Sequence, residues 1–226
     1  FPASTTFAVN GDWQNRAKFF QRATVGLGVT YKWHKYNNAL HELNALSLEY
    51  NKLISTTAAF DDIRNNNPAL YVSMRDQFVP SASYTFTYNT AAHHRNPIWM
   101  QFSIKEAGNF TSAIYALMGK KFSEKDKELF NNPFAQYLKV TAEFHNHIKM
   151  NNRMKFAYRF FGGLIYSYGN STTAPYADQF YVGGANSIRG FTVRALGPGS
   201  YRSPNVKYAY MDQTGDIKLE INAELR

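Results

Sequence analysis

Two histidines and a glutamate occupy alternate positions near the middle of the chain. If this segment is extended, the side chains of Glu143, His145 and His147 share one face. Such a set can chelate a metal ion when a further ligand converges on it. Lys139 and Lys149 share the same alternation, and two ammonium groups on that face disfavour a bound cation. We therefore interpret the face as a polar lining and predict no metal site and no cofactor.

Other chemical motifs in the chain are incomplete. Gly119-Lys120-Lys121 lacks the upstream glycine and the closing serine or threonine of a phosphate-binding loop. The pair Gly183-Gly184 lacks the spacing of a dinucleotide fingerprint and does not open onto a helix. No nucleophile has a plausible base beside it. The sequence therefore predicts a protein that is not an enzyme and has no catalytic residues.

The most unusual segment is 179–200, a glycine-rich stretch that interrupts the run of strands. Its glycines permit positive φ angles and close backbone packing: they are Gly183, Gly184, Gly190, Gly197 and Gly199. One alternative is an exposed hairpin in which Arg189 is an ordinary surface residue. Such a loop would gain nothing from its large apolar residues, which are Phe180, Tyr181, Ile188, Phe191 and Leu196. We expect the segment to fold back into a confined space.

The elements that position these residues are strands with one apolar and one polar face. Seven segments show this alternation, which predicts an all-β fold: 23–34, 40–50, 83–88, 98–105, 138–149, 154–160 and 216–226. The segment 40–50 alternates less regularly than the others. Two of the connections, 57–78 and 109–129, have some helical character, and we interpret them as short solvated helices or plain loops.

Short and long connections alternate along the chain. The short ones lie near 36–39, 90–97 and 150–152, and the long ones at 51–80, 107–134 and 169–214. In an up-and-down antiparallel sheet this order gathers all the long loops at one end. With strands of about 9 to 11 residues, it is typical of a transmembrane β-barrel, which must close so that no backbone group is left unpaired. The apolar faces would meet lipid and the polar faces a wet lumen.

Aromatic residues near strand ends would form the girdles of such a barrel at the lipid headgroups. Those with suitable positions are Tyr31, Trp33, Trp99, Tyr166 and Tyr168. The reverse arrangement, with the apolar face inside, would give a soluble barrel.

The composition restricts the partners and the class of protein. A net charge of +9 favours an anionic partner, either nucleic acid or a membrane surface, unless it is solvated charge on loops. The absence of cysteine excludes disulfides and cysteine-ligated metals. No apolar run reaches the ~18 residues of a membrane helix, and no targeting segment is visible at Phe1.

The segment 180–191, FYVGGANSIRGF, followed by Leu196-Gly197-Pro198-Gly199, resembles the signature loop of the bacterial surface antigen family. Members include the BamA and TamA assembly factors and the two-partner secretion transporters. The amino-acid sequence of the loop, preceded by YGNS at 168–171, is most similar to that of the Bacteroidetes members of the family. The resemblance is specific over 156–226 and looser upstream.

The resemblance implies a role for the loop. The arginine-glycine-aromatic motif of the family matches Arg189, Gly190 and Phe191, with Gly183 and Gly184 upstream. In relatives this loop enters the lumen and its arginine pairs with acids on the inner wall. The family pattern around 215–225 makes Glu224 the expected lumen partner of Arg189, and alternation independently places Glu224 on the polar face.

The resemblance also implies the organisation of the molecule. The family barrel has about sixteen strands, within the range of such barrels, and about seven are recognised here. We therefore expect 1–226 to be a partial outer-membrane β-barrel domain, with its signature loop at 169–214, without POTRA repeats and without the closing strands.

The function implied by the resemblance is assembly, insertion or translocation of proteins at the bacterial outer membrane. The expected partners are outer-membrane lipid, unfolded outer-membrane proteins and accessory assembly subunits, with no nucleic acid. Alternatives are a passive porin-like channel, a two-partner secretion transporter or, if the sheet were soluble, a basic protein that binds nucleic acid.

Overall fold

The computed structural model describes residues 2–16, 19–36, 38–90, 94–151, 153–200 and 213–225. Its elements follow one another in this order: β1 Ala3–Arg16, β2 Phe20–Lys35, β3 Ala39–Thr56, α1 Ala58–Asn65, α2 Pro68–Ser73, β4 Gln77–Asn89, β5 Ile98–Ala107, α3 Asn109–Leu117, β6 Glu128–Leu129, β7 Asn132–Pro133, β8 Tyr137–Lys149, β9 Lys155–Ser167 and β10 Ile217–Leu225. The fold is all-β, as the alternation predicted.

Eight of these strands form one antiparallel up-and-down sheet in the order β1-β2-β3-β4-β5-β8-β9-β10. Each strand of this sheet pairs with the next one along the chain, and the connections between them are hairpin turns or longer loops. The very short β6 and β7 pair with each other inside a loop. Within the described residues β1 and β10 are the two edges of the sheet. This arrangement is a segment of an up-and-down barrel wall.

The sheet has one more strand than predicted. Strand β1 pairs with β2 over its whole length, from Ala3 opposite Trp33 to Arg16 opposite Phe20. Its outward positions include only three large apolar residues, Phe7, Val9 and Trp13, and Gly11 interrupts them. The alternation is therefore weak there. The β1–β2 link lies at the long-loop end yet is short, so it is an exception to the alternation of short and long connections.

A β-bulge explains why 40–50 alternates irregularly. The pairing of β3 with β4 shifts between Asn44 and Ser47. His41 and Leu43 point outward before the shift, and Leu46 and Leu48 point outward after it. A bulge adds one residue to a strand and so reverses the parity of the positions that follow. One side of the sheet thus stays apolar across an apparent break in the sequence pattern.

The outward face of the sheet is apolar and exposed. The large residues on it remain open, and they include Val9, Val25, Leu27, Leu46, Phe102, Leu164, Leu219 and Ile221. A soluble sheet would bury such a face against another layer. A continuous exposed apolar band on one face of an antiparallel wall is typical of a lipid-facing surface.

The long loops cover the opposite, polar face at one end of the sheet. Two small hydrophobic clusters lie there, one around Phe20, Phe60 and Leu70, the other around Val79, Tyr137 and Ile165. The helices α1, α2 and α3 lie in the regions where sequence predicted helical character. None of the helices in the described part of the chain has the length and apolar character of a membrane span.

Four of the five predicted girdle aromatics lie on the outward face. Tyr31 and Trp33 are near the short-turn end, and Tyr166 with Tyr168 is near the long-loop end, where their rings stack 5.7 Å apart. Trp99 is different, because its register pairs it with His145 on the polar face. It contacts that histidine edge-on at 4.8 Å and is therefore a lumen residue.

Candidate functional site

The polar face of β5, β8, β9 and β10 forms a wall on which charged residues line up across strands. The register places His145 opposite Arg159, and Arg159 opposite Asn222. One step further along, Glu143 lies opposite Phe161, and Phe161 opposite Glu220. Because side chains directly opposite one another are about 5 Å apart at Cβ, residues far apart in sequence form one polar surface.

Arg159 is the centre of an ion-pair network on this wall. Its Nε donates to Glu143 Oε1 at 2.6 Å, and its Nη1 to Glu220 Oε1 at 3.3 Å. Glu143 also pairs with His145 Nε2 at 2.7 Å, and Glu220 with Lys218 Nζ at 3.0 Å. A planar guanidinium can hold two carboxylates at fixed angles, which lysine cannot do. The network therefore ties β8, β9 and β10 together.

The long loop after β9 meets this wall first at Asp178. Lys105 Nζ donates to Asp178 Oδ1 at 2.9 Å and Tyr137 Oη donates to Oδ2 at 2.7 Å. Lys139 Nζ donates to the backbone oxygen of Asp178 at 2.6 Å. Burial alone would raise the pKa of Asp178, but Lys105, Lys139 and Tyr137 outweigh it and hold that pKa below its ordinary value. The loop is thus pinned by a carboxylate that is charged at neutral pH.

A second contact is a ring packed on a glycine. Phe180 lies over Gly163 of β9, and a Cβ added to Gly163 would lie 2.4 Å from the ring. The backbone of Phe180 also bonds in both directions with Gly215, just before β10. The ring of Phe161 meets that of Phe180 edge-on at 6.0 Å. Any larger residue at Gly163 would displace the loop from the wall.

The third contact joins the tip of the loop to the ion-pair network. Ser187 Oγ donates to Glu220 Oε2 at 2.5 Å. Arg159 Nη1 donates to the backbone oxygen of Asn186, also at 2.5 Å. Loop and wall therefore share charged hydrogen bonds, which contribute about 1.5 to 3 kcal/mol each when the partner would otherwise be unpaired.

The predicted signature residues shape the loop tip. Gly183 and Gly184 have φ angles of 98° and 90°, in the region that favours glycine. A Cβ on Gly183 would lie 2.1 Å from the oxygen of Thr192, so the two sides of the loop close tightly there. Phe191 N donates to the oxygen of Ile188 at 3.1 Å, which places Arg189 and Gly190 at the centre of a turn.

A cavity of about 750 Å³ lies between the loop tip and the wall. Arg189 lines it from the loop, while His145, His147 and Glu224 line it from the strands. The structure thus brings Arg189 and Glu224 to one cavity, and an ion pair between them stays a prediction. The predicted loop 169–214 includes residues 201–212, which lie outside the described ranges.

Glu143, His145 and His147 lie together on the polar face of β8, as their alternation predicted. His145 is paired with Glu143. Over the described ranges, no group of three or more His, Asp or Glu has the arrangement of a metal site.

Sequence reasoning did not identify several residues of the site. Alternation had placed Lys105, Lys139, Arg159 and Glu220 on polar faces, but that pattern does not say which loop residue approaches them. Asp178 and Ser187 carry no local signal, because single polar residues in a loop are common. Gly163 could have been identified from the sequence, since a glycine inside a strand indicates close approach of another part of the chain.

Together, the apolar outer face, the polar inner wall and the loop docked on that wall are typical of a membrane-spanning β-barrel with a loop on its inner face. Residues 3–226 match the Omp85 superfamily domain. The chain therefore belongs to the Omp85 superfamily, whose members are outer-membrane proteins that assemble or translocate other proteins. Among curated proteins, no sequence matches the chain closely enough to count as a relative.

Proposed function

We propose that this chain is part of a BamA/TamA-like barrel that helps to insert proteins into the outer membrane, without a cofactor, and that the Arg189 loop braces its lumen. The observation that carries the proposal is the docking of one loop on the polar wall at three points, Asp178, Phe180 and Ser187. The loop reaches strands β5, β8, β9 and β10, so a single segment fixes half of the sheet.

Bracing matters for assembly because the barrel wall of an insertase must open between two strands while the rest of the wall keeps its strand pairing. An exposed strand edge templates pairing with an incoming strand by β-augmentation. If the whole wall were equally compliant, opening would spread and the barrel would lose its shape. Charged contacts across β8, β9 and β10, reinforced by the loop, resist such spreading. The expected partners are outer-membrane lipid, unfolded barrel proteins and accessory subunits.

Within this function, Arg189 pairs with Glu224. Both line the cavity under the loop tip, and a bidentate arginine–carboxylate bond would orient the turn that holds Arg189 and Gly190. This pair would add a fourth point of attachment near the short-turn end of β10.

A passive porin is the alternative with the clearest structural difference. A polar lumen alone would suffice for a porin, which has no need of the Arg189 loop that lies on the wall here. A two-partner secretion transporter belongs to the same structural class and differs in its substrate, so the test must include substrate folding.

The test uses the full-length protein in proteoliposomes with an unfolded outer-membrane barrel as substrate. We expect the wild type to speed substrate folding, Arg189→Ala and Glu224→Ala each to slow it, and the charge swap Arg189→Glu with Glu224→Arg to recover part of the loss. Arg153→Ala, at an exposed arginine in the turn before β9, is the control. Solute-selective conductance without any effect on substrate folding would favour the porin and contradict the proposal.

A further inference from the structure

Helix α3 carries its apolar residues on the side that faces away from the protein. Phe110, Ile114 and Leu117 are 70%, 44% and 89% exposed. Their spacing places them on one helical face. The buried residues are instead Thr111 and Ser112. A helix on the surface of a soluble protein shows the opposite arrangement, so this apolar face points to a non-aqueous neighbour.

The polar side of α3 is fixed by buried hydrogen bonds. Ser112 Oγ donates to Gln136 Oε1 at 3.0 Å and accepts from Lys127 Nζ at 3.0 Å. Gln136 Oε1 also accepts from the backbone of Asn170 at 2.9 Å. The ring of Tyr115 stacks on that of Phe134. The helix is therefore held rigidly, and its apolar face cannot turn inward without breaking these contacts.

The helix starts at the rim of the lipid-facing surface. The backbone of Asn109 donates to Glu106 Oε2 at 3.2 Å, and Tyr168 Oη donates to Asn109 Oδ1 at 2.7 Å. By register Glu106 lies on the same face as Phe102 and Ile104. Tyr168 continues the outward positions of β9. The first turn of α3, where its exposed apolar face begins at Phe110, thus adjoins the apolar band of the sheet.

The segment after α3 adds positive charge to this surface. Lys120, Lys121 and Lys125 are exposed, as are the apolar Met118 and Phe122. Two acids, Glu124 and Asp126, lie among them and offset part of the charge. An apolar helical face beside lysines is typical of a segment that lies in a membrane interface and contacts anionic headgroups.

We propose that α3 and the following 118–125 segment form a lipid anchor at the long-loop end of the barrel. The apolar face of α3 lies in the interface of the outer leaflet, because long loops of such barrels are extracellular. The lysines contact the phosphate groups of lipids in that leaflet. The anchor goes beyond the assembly function, which could operate without it.

The test places a polarity-sensitive fluorophore at Leu117→Cys in the full-length protein, in a background free of other cysteines. The protein is reconstituted into vesicles of phosphatidylcholine and phosphatidylglycerol, with and without lipids brominated near the headgroup. The matched control is Asn65→Cys, an exposed position at the end of α1 in another long loop. We expect a blue shift and bromine quenching at position 117 and neither at position 65.

Charge is tested with Lys120→Gln combined with Lys121→Gln. We expect this variant to reduce quenching at position 117 in vesicles with phosphatidylglycerol and to leave it unchanged in neutral vesicles. Heat-modifiable migration on gels checks that each variant is folded. Equal quenching of the charge variant and its parent in anionic vesicles would overturn the role of the lysines.

Three results in folded protein would overturn the lipid anchor itself. The first is that position 117 remains in water, with no shift and no quenching. A shift without bromine quenching would mean that a protein partner covers the face. A shift that disappears when the protein is diluted into more lipid would mean that a second copy covers it. Because substrate folding is not measured, failure here leaves the assembly function standing.

Discussion

At the scale of single residues, Asp178 couples the loop to the wall. Its carboxylate accepts from Lys105 and Tyr137, and its backbone oxygen accepts from Lys139. Replacing the carboxylate leaves two ammonium groups without their anionic partner in a partly buried place. Removing one member of such a cluster loses more stability than the intact cluster contributes, because the remaining charges stay desolvated without a partner.

We expect Asp178→Asn to weaken docking of the loop by roughly 2 to 3 kcal/mol, since an uncharged amide accepts less strongly from the lysines. Amide hydrogen exchange in the full-length protein should show faster exchange around residues 176–190. Asp62→Asn, at an exposed acid on α1, is the control. Unchanged protection in Asp178→Asn would contradict the assigned role.

The depressed pKa of Asp178 gives docking a pH dependence. A carboxyl group whose folded pKa lies below its unfolded value of about 3.9 stabilises the docked loop fully above that value. The contribution is lost as the pH falls through the folded pKa. A spin label at Ala177→Cys should therefore become more mobile below about pH 4. The same label in Asp178→Asn should show no such transition, and an identical transition there would refute this assignment.

At the scale of elements, β9 presents two adjacent glycines to opposite sides of the sheet. Gly163 faces the loop, where an added Cβ meets the ring of Phe180 at 2.4 Å. Gly162 faces outward, and its nearest neighbours would lie at 3.5 Å or more. The two positions have the same strand and nearly the same backbone, so they separate an effect on docking from an effect on strand propensity.

We expect Gly163→Ala to detach the loop and Gly162→Ala to leave it docked. Protease cleavage within 176–190 of the folded barrel is the measurement. Adding Phe180→Ala to Gly163→Ala should remove the clash and restore part of the protection. Equal cleavage of both single variants would show that packing on Gly163 does not hold the loop.

The elements also show how much the sequence could predict. Alternation identified seven of the eight main strands and, in those that alternate regularly, the polar face of the strand. It missed β1, whose outward face has small residues among the large ones, and it could not interpret the bulge that reverses parity after Asn44. The partners of Asp178 and Ser187 depend on which part of the wall the long loop contacts, and no local sequence pattern predicts that contact.

At the scale of the whole molecule, the apolar outer face decides the environment. Large residues on that face are exposed across the sheet, for example Val9, Leu27 and Ile221 at 79%, 54% and 76%. The net charge of +9, taken alone, is also compatible with a soluble basic sheet that binds nucleic acid. Such a protein would have no use for a continuous apolar band.

We expect the full-length protein to stay with the membrane fraction after washes with high salt and with alkaline carbonate, and to need detergent for extraction. Burial of the apolar band in lipid is insensitive to ionic strength, whereas binding to phosphates weakens steeply with salt. Release by salt without detergent, together with salt-sensitive binding to single-stranded nucleic acid, would contradict the membrane assignment.

We propose that the loop stays docked on the polar wall while the barrel acts on its substrate. Ala185 on the loop and Ala157 on β9 both line the cavity, so cysteines at these positions leave the ion pairs intact. The decisive measurement is the rate of substrate folding after a bifunctional thiol reagent that spans the cavity has joined them. We expect efficient joining and a rate equal to that of the unjoined protein. Failure to join, or joining that stops folding, would contradict the proposal.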